Sequence, residues 1–77
     1  MVLIKIIWRD AFDHDEVGWV SKEQMEHIIE TDCVVQSVGW LYHEDDKYLT
    51  IVGDHEGETF SRATRIPVGM IISKTHL

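Results

Sequence analysis

Apolar and polar residues alternate along several stretches of the chain, which is the pattern of β-strands with one buried face. Residues 2–9 place apolar side chains at every second position and end in Trp8 and Arg9. Residues 33–43 and 47–52 are rich in Val, Trp and Tyr and flank a charged turn at 44–46, which predicts a hairpin. Residues 59–66 alternate again, Pro67 and Gly69 break the pattern, and 70–74 resume it. Residues 53–58 are polar and bracketed by glycine, which predicts another turn.

A helix is predicted over about residues 22–30. Ser21 and Gln24 have the spacing of a capping box, and Val20 and Met25 that of a hydrophobic staple. Met25, Ile28 and Ile29 then form one apolar stripe at helical spacing. Because so short a helix is marginal in water, we expect it to pack on the sheet.

These elements predict a single domain, residues 1–77, of the α+β class and mostly β. We expect about five antiparallel strands and one short helix. Two segments, Val17-Gly-Trp-Val20 and Val38-Gly-Trp-Leu41, echo each other without matching neighbours. A glycine beside a large aromatic residue in a strand indicates a bulge or a close backbone approach rather than a sequence repeat.

Composition and charge narrow the function. The chain has 77 residues, is 44% hydrophobic and carries a net charge of −7. Because so short a chain has a small core, which is often supplemented by oligomerisation, we expect a homo-oligomer. Residues 10–32 alone hold eight acidic residues and one basic residue. Such a surface disfavours nucleic-acid binding and suits a basic protein partner. The predicted protein-contact residues are Asp10, Asp13, Asp15 and Glu16.

Compartment and chemistry follow from what the sequence lacks. It has one cysteine, Cys33, and no secretory signal, so we expect a cytoplasmic protein. No apolar run approaches the length of about 20 residues that spans a bilayer, so we expect no membrane contact. The acidic loop does not fit the calcium-loop template, and the five histidines lack zinc-ligand spacing. We therefore expect no metal, no cofactor and no catalytic residue. A small metal-dependent hydrolase with an intersubunit site stays an alternative.

A second surface combines aromatic and basic residues. Arginine beside aromatic rings is typical of interface hot spots and of sites that stack a base and bind a phosphate. The alternative is a purely structural role, in which the rings fill the core and the arginines form surface ion pairs. The candidate ligand-binding residues are Trp40, Tyr42, Phe60, Arg62 and Arg65.

Residues 33–74 resemble the small SH3-like and Sm-like barrels. Residues 38–51 look like their central hairpin, and Ile66-Pro-Val-Gly-Met-Ile-Ile72 looks like the turn and short strand that close such a barrel. The resemblance implies a small barrel or a strongly curved sheet. The glycine- and asparagine-containing RNA-binding signatures of true Sm proteins are absent from the sequence. The implied alternative function is an Sm-like oligomer that associates with RNA or acts as a scaffold.

Almost the whole chain also resembles short uncharacterised proteins of bacteriophages and prophages. The resemblance rests on Trp8-Arg-Asp-Ala11, Gly18-Trp19, Val38-Gly-Trp-Leu41 with Glu44-Asp-Asp46, and Ile66-Pro-x-Gly-Met-Ile71. It implies a non-enzymatic accessory or anti-defence factor in the host cytoplasm. Such a factor would bind a host protein or sequester a small nucleotide-like ligand.

Overall fold

The computed structural model describes residues 1–11 and 18–77. The elements of the described chain are β1 (Leu3–Arg9), α1 (Lys22–Glu30), β2 (Val34–Glu44), β3 (Tyr48–Val52), β4 (Asp54–Glu56), β5 (Thr59–Ser61), β6 (Thr64–Pro67) and β7 (Ile71–His76). A 3₁₀ turn at Val68–Met70 joins β6 to β7.

Five strands form one antiparallel sheet in the order β6-β3-β2-β1-β7, and β4 and β5 form a separate hairpin. The prediction of a mostly β protein with one short helix is confirmed. The two edge strands, β6 and β7, do not pair, so the sheet is not closed into a barrel. Nevertheless Lys74 of β7 donates to Glu44 of β2, seven residues beyond the β2 residue that lies in register with it, so the sheet is strongly curved.

The core lies on the concave face of this sheet. Ile4 and Ile6 of β1 are fully buried there, as the alternation in residues 2–9 predicted. Burial of each side chain contributes about 1.5–3 kcal/mol to the stability of the fold. Leu49, Ile51 and Ile66 complete the buried cluster. Every buried member of the cluster therefore comes from a strand.

Gly39 allows the strands to approach closely over this core. A Cβ atom at this position would lie 2.9 Å from the carbonyl oxygen of Val52 and 3.1 Å from the Cβ of Ile51. The interpretation of this glycine as a close backbone approach is confirmed.

The turn predicted at 53–58 is confined to fewer residues, and the strand predicted over 59–66 is divided into two strands. Residues 53–58 instead include β4, which pairs with β5 around Gly57, where φ is +58°. The strand over 59–66 is interrupted because Arg62 adopts φ +54°, a left-handed conformation that no strand continues. Phe60 and Thr64 therefore belong to separate strands, β5 and β6.

The expectation that the helix packs on the sheet is also wrong. α1 buries none of its residues, although Ile28 is partly covered. The physical reason is that the curved sheet brings its own edge strands to the core, so the core needs no helical cover. The described chain is elongated as a result, with extents of 51, 23 and 21 Å. None of its helices is long and apolar enough to cross a membrane.

Candidate functional site

The connection between β1 and β2 carries most of the acidic residues, and its two ends are fixed side by side. The backbone N–H of Asp10 donates to the carbonyl oxygen of Cys33 at 2.9 Å. The Nε of Arg9 donates to Oδ2 of Asp32 at 3.2 Å. Because both pairs join the end of β1 to the start of β2, the intervening segment leaves the sheet and returns at one place.

Within this connection, residues 18–32 form what we call the acidic helical segment. It has four acidic residues and one basic residue, a net charge of −3. Of the predicted protein-contact residues, Asp10 lies at the start of the connection and is exposed, with its Oδ1 accepting from the N–H of Ala11 at 2.8 Å. Asp13, Asp15 and Glu16 lie outside the described residues.

Both ends of α1 are capped by the chain itself. The N–H of Gln24 donates to Oγ of Ser21 at 3.1 Å, and the N–H of Ser21 donates to Oε1 of Gln24 at 2.7 Å, so the predicted capping box is confirmed. At the other end the N–H of Thr31 donates to the carbonyl of Ile28, and its hydroxyl donates to that of His27. These local bonds define the helix without help from tertiary packing.

The apolar stripe of this helix faces outward. Met25 is 45% exposed and Ile29 74% exposed, while Glu26 and Glu30 flank the stripe. Trp19, just before the helix, is fully exposed. The sequence predicted the stripe of Met25, Ile28 and Ile29, but not that Met25 and Ile29 would be exposed. The helical spacing of Met25 and Ile29 beside glutamates was the available signal.

The aromatic residues of the second candidate surface do lie together. Tyr42 of β2 and Phe60 of β5 have ring centroids 4.7 Å apart, and both rings are substantially exposed. Trp40, half-buried two residues earlier on β2, meets the edge of His55 at 5.4 Å. Because His55 and Phe60 are paired across the β4–β5 hairpin, these two contacts hold the hairpin on β2. His55 was not among the predicted residues.

The two candidate arginines are separate from this aromatic surface. Arg62 is committed to Asp54: its Nε donates to Oδ2 at 2.8 Å and its Nη2 to Oδ1 at 3.1 Å. This guanidinium, together with a hydrogen bond from Ser61, holds the pKa of Asp54 below its ordinary value. Arg65 instead lies over the ring of Tyr48, 3.6 Å from its centroid, in a cation–π contact.

Metal-ligating side chains are scattered in the described ranges, 1–11 and 18–77, where no group of three or more could hold an ion. His43 and Asp45 are joined at 3.2 Å in the β2–β3 turn. The carboxylate of Asp45 accepts backbone N–H bonds from Tyr48 and Lys47, which, with His43, lower its pKa. These contacts define the turn between β2 and β3.

Comparisons with models of known protein families, with curated proteins and with solved structures found no match.

Proposed function

We propose that this chain is a non-enzymatic binding protein whose acidic helical segment docks on a basic, apolar surface of a host protein. The observation that carries the proposal is the exposed apolar stripe of α1. Short helices owe most of their stability to burying such a stripe, yet Ile29 remains 74% exposed in a helix that buries no residue. A capped helix with an uncovered apolar face suits a partner's groove.

Trp19 adds the kind of side chain that dominates binding energy. Tryptophan is enriched among interface hot spots because it buries a large area at low entropic cost. Its complete exposure leaves all of that area for a partner. Trp19, Met25 and Ile29 together supply the apolar centre of the proposed contact.

Charge specifies the chemistry of the partner. The segment's net charge of −3 in a chain of −7 disfavours acidic partners and accelerates encounter with basic ones. The Arg9–Asp32 pair and the Asp10–Cys33 hydrogen bond fix both ends of the connection, which limits the entropy lost on binding. The small size and the resemblance to phage proteins support a role as a phage accessory or anti-defence factor in the host cytoplasm.

A comparative capture experiment tests this function. The immobilised chain and two variants are incubated with lysate of the cells that encode it. Met25→Gln/Ile29→Gln removes the stripe without changing charge, and Met70→Gln/Ile72→Gln makes the same two changes at exposed positions beside and on β7. We expect one or more basic proteins to be retained by the parent and the control and lost from the stripe variant. Equal retention by all three, or retention by none, contradicts the proposal.

A second candidate is sequestration of a small nucleotide-like ligand on the aromatic surface. It is supported by the exposed, tilted pair of Tyr42 and Phe60, since a base stacks readily on such rings. A cavity of about 290 Å³ adjoins it along the β4–β5 hairpin. Neither candidate arginine is part of this surface, since Arg62 is paired with Asp54 and Arg65 lies over Tyr48. Titration with AMP, comparing the parent with Phe60→Ala, tests this candidate, and equal shifts in both would contradict it.

The architecture supports the small-barrel resemblance as a further proposal. An SH3-like or Sm-like barrel fits the strand order β6-β3-β2-β1-β7 and the 3₁₀ turn between the two edge strands. The Sm-like alternative function, RNA association or scaffolding, needs basic residues gathered on one face. Arg62 and Arg65 are instead engaged by Asp54 and Tyr48. Absence of salt-dependent RNA binding at low salt would end that alternative.

A further inference from the structure

The first half of β2 has a free edge on the sheet. β2 pairs with β1 from Val34 to Trp40, but it pairs with β3 only from Trp40 onward. In the described chain, residues 34–39 therefore have a strand neighbour on one side alone.

The backbone groups on this free side can be assigned. The N–H of Leu41 donates to the carbonyl of Val2, and the carbonyl of Cys33 accepts from the N–H of Asp10, so both groups point toward β1. In an antiparallel ladder, alternate residues turn their N–H and C=O to the same neighbour. Odd-numbered residues of this stretch thus face β1, and Val34, Gln36 and Val38 face the free side. Three donor–acceptor pairs at two-residue spacing fit one more extended strand.

This edge lacks the devices that normally prevent strand addition. Edge strands are usually blunted by lysine, proline or a bulge. β7 carries Lys74 and β6 carries Arg65 and Pro67, but residues 33–42 contain no charged residue and no proline. The pairing of 34–40 with β1 is regular, and Val34 and Val38 are 51% and 56% exposed.

We propose that this edge pairs with the same edge of a second copy of the chain, antiparallel about a two-fold axis at Gln36. Val34 then lies opposite Val38 of the second copy at both ends, which makes the contact isologous. The three outward residues of each copy form hydrogen-bonded pairs, so no backbone group of the stretch is left over. The two sheets become one continuous sheet.

The outward side chains favour a second copy as the occupant, because Val34, Gln36 and Val38 read the same in both directions about Gln36. Two chains of −7 repel each other over most of their surfaces, but the uncharged stretch 33–42 can meet its own copy without placing like charges in contact. A groove of about 330 Å³ lies at one end of the edge, lined by Leu3, Ser37, Val38, Gly39, Ile51, Gly53, Arg62 and Thr64. The proposed register brings Cys33 of the second copy opposite Gly39, at the end of the edge where this groove lies.

Charge placement gives a selective test. In the single chain Val34 is opposite Arg9 and Val38 is opposite Lys5, so Val34→Glu/Val38→Glu creates two favourable cross-strand pairs. In the dimer the same change places carboxylates directly opposite each other. Ile72→Glu/Thr75→Glu adds the same charge to exposed positions of β7 and serves as the control.

Sedimentation velocity over a dilution series is the measurement, with circular dichroism to verify folding. We expect the parent and the control to be dimers and the β2 variant a folded monomer, its dimer dissociation constant raised at least ~10-fold. A monomeric parent would overturn the proposal. So would a dimer that survives the β2 change or dissociates with the β7 change.

A cross-link provides a second measurement that does not depend on weakening the dimer. Gln36→Cys in a Cys33→Ser background places two thiols on the axis, where paired Cα atoms are about 5.5 Å apart and within disulfide range. Mild oxidation should yield a covalent dimer of this variant and none of Cys33→Ser/Ser73→Cys. Equal cross-linking of the two, or none in the first, would overturn the proposal.

Discussion

Asp54, the first residue of the β4–β5 hairpin, forms a bidentate ion pair with Arg62, which directly follows β5. The distances are 2.8 Å from Nε to Oδ2 and 3.1 Å from Nη2 to Oδ1. Arg62 is also the one non-glycine residue of the described chain with positive φ. The ion pair therefore holds a backbone conformation that the residue type disfavours, and with it the orientation of the hairpin.

We predict that the hairpin loosens in acid. The pKa of Asp54 is lower in the folded chain than its ordinary value of 3.8, so its stabilising effect is complete above that value and is lost as pH falls through the folded pKa. Amide NMR signals of β4 and β5 should shift below about pH 4. Asp54→Asn removes the carboxylate and should abolish this transition while leaving that of Asp45. An unchanged transition in Asp54→Asn would contradict the assignment.

Gly39→Ala should destabilise the sheet more than Gly53→Ala. The new Cβ atom at 39 would meet the backbone carbonyl of Val52 at 2.9 Å, whereas at 53 it would meet the movable guanidinium of Arg62 at 2.7 Å. We expect a loss of about 1–3 kcal/mol in the free energy of unfolding for Gly39→Ala and a smaller loss for Gly53→Ala. Urea denaturation measures both, and the reverse order would contradict the packing described.

Ser21→Ala should unfold the helix without melting the sheet. Loss of an N-cap costs about 1 kcal/mol of helix stability. Because α1 buries no residue, that cost is not transmitted to the core. Far-ultraviolet circular dichroism should show less helix at an unchanged melting temperature of the tryptophan fluorescence of Trp8 and Trp40. A parallel fall in both signals would show that the helix is packed on the sheet.

Phe60→Ala should release the hairpin from β2. The substitution removes the ring that contacts Tyr42 at 4.7 Å, in a side chain that is 40% exposed. We expect a loss of about 1–2 kcal/mol in the free energy of unfolding, less than for a core phenylalanine. The ring signals of Trp40 and His55 should lose their mutual contacts in NMR. Glu58→Ala, in the hairpin turn, is the control and should leave them unchanged.

Local signals predicted much of this fold. The capping box lies within four residues, and the β1 alternation and the β2–β3 hairpin depend on neighbouring residues, so sequence pattern was sufficient for them. The β4–β5 hairpin was missed because its strands have three residues each and are polar. The left-handed Arg62 has no sequence signature, since it is held by its contact with Asp54.

The candidate sites were less predictable because they depend on long-range placement. Trp40, Tyr42 and Phe60 are brought together by a hairpin that the sequence did not show. The exposure of α1 follows from the sheet's curvature, which lets Ile66 and Ile71 cover the core from opposite edges. The pattern of apolar residues within 22–30 does not depend on the curvature of the sheet, so it could not predict whether the helix is covered.

NMR mapping tests whether the acidic helical segment binds a basic, apolar partner surface. The labelled chain is titrated with a designed helical peptide that has lysines on one face and leucines on the other. A second peptide, with serines in place of the leucines, has the same charge and no apolar face. We expect the first peptide to shift signals of residues 18–32 alone. These shifts should be much smaller with the second peptide, and also when the first peptide is added to the Met25→Gln/Ile29→Gln variant. Equal shifts from both peptides, or shifts centred on Tyr42 and Phe60 instead, would contradict it.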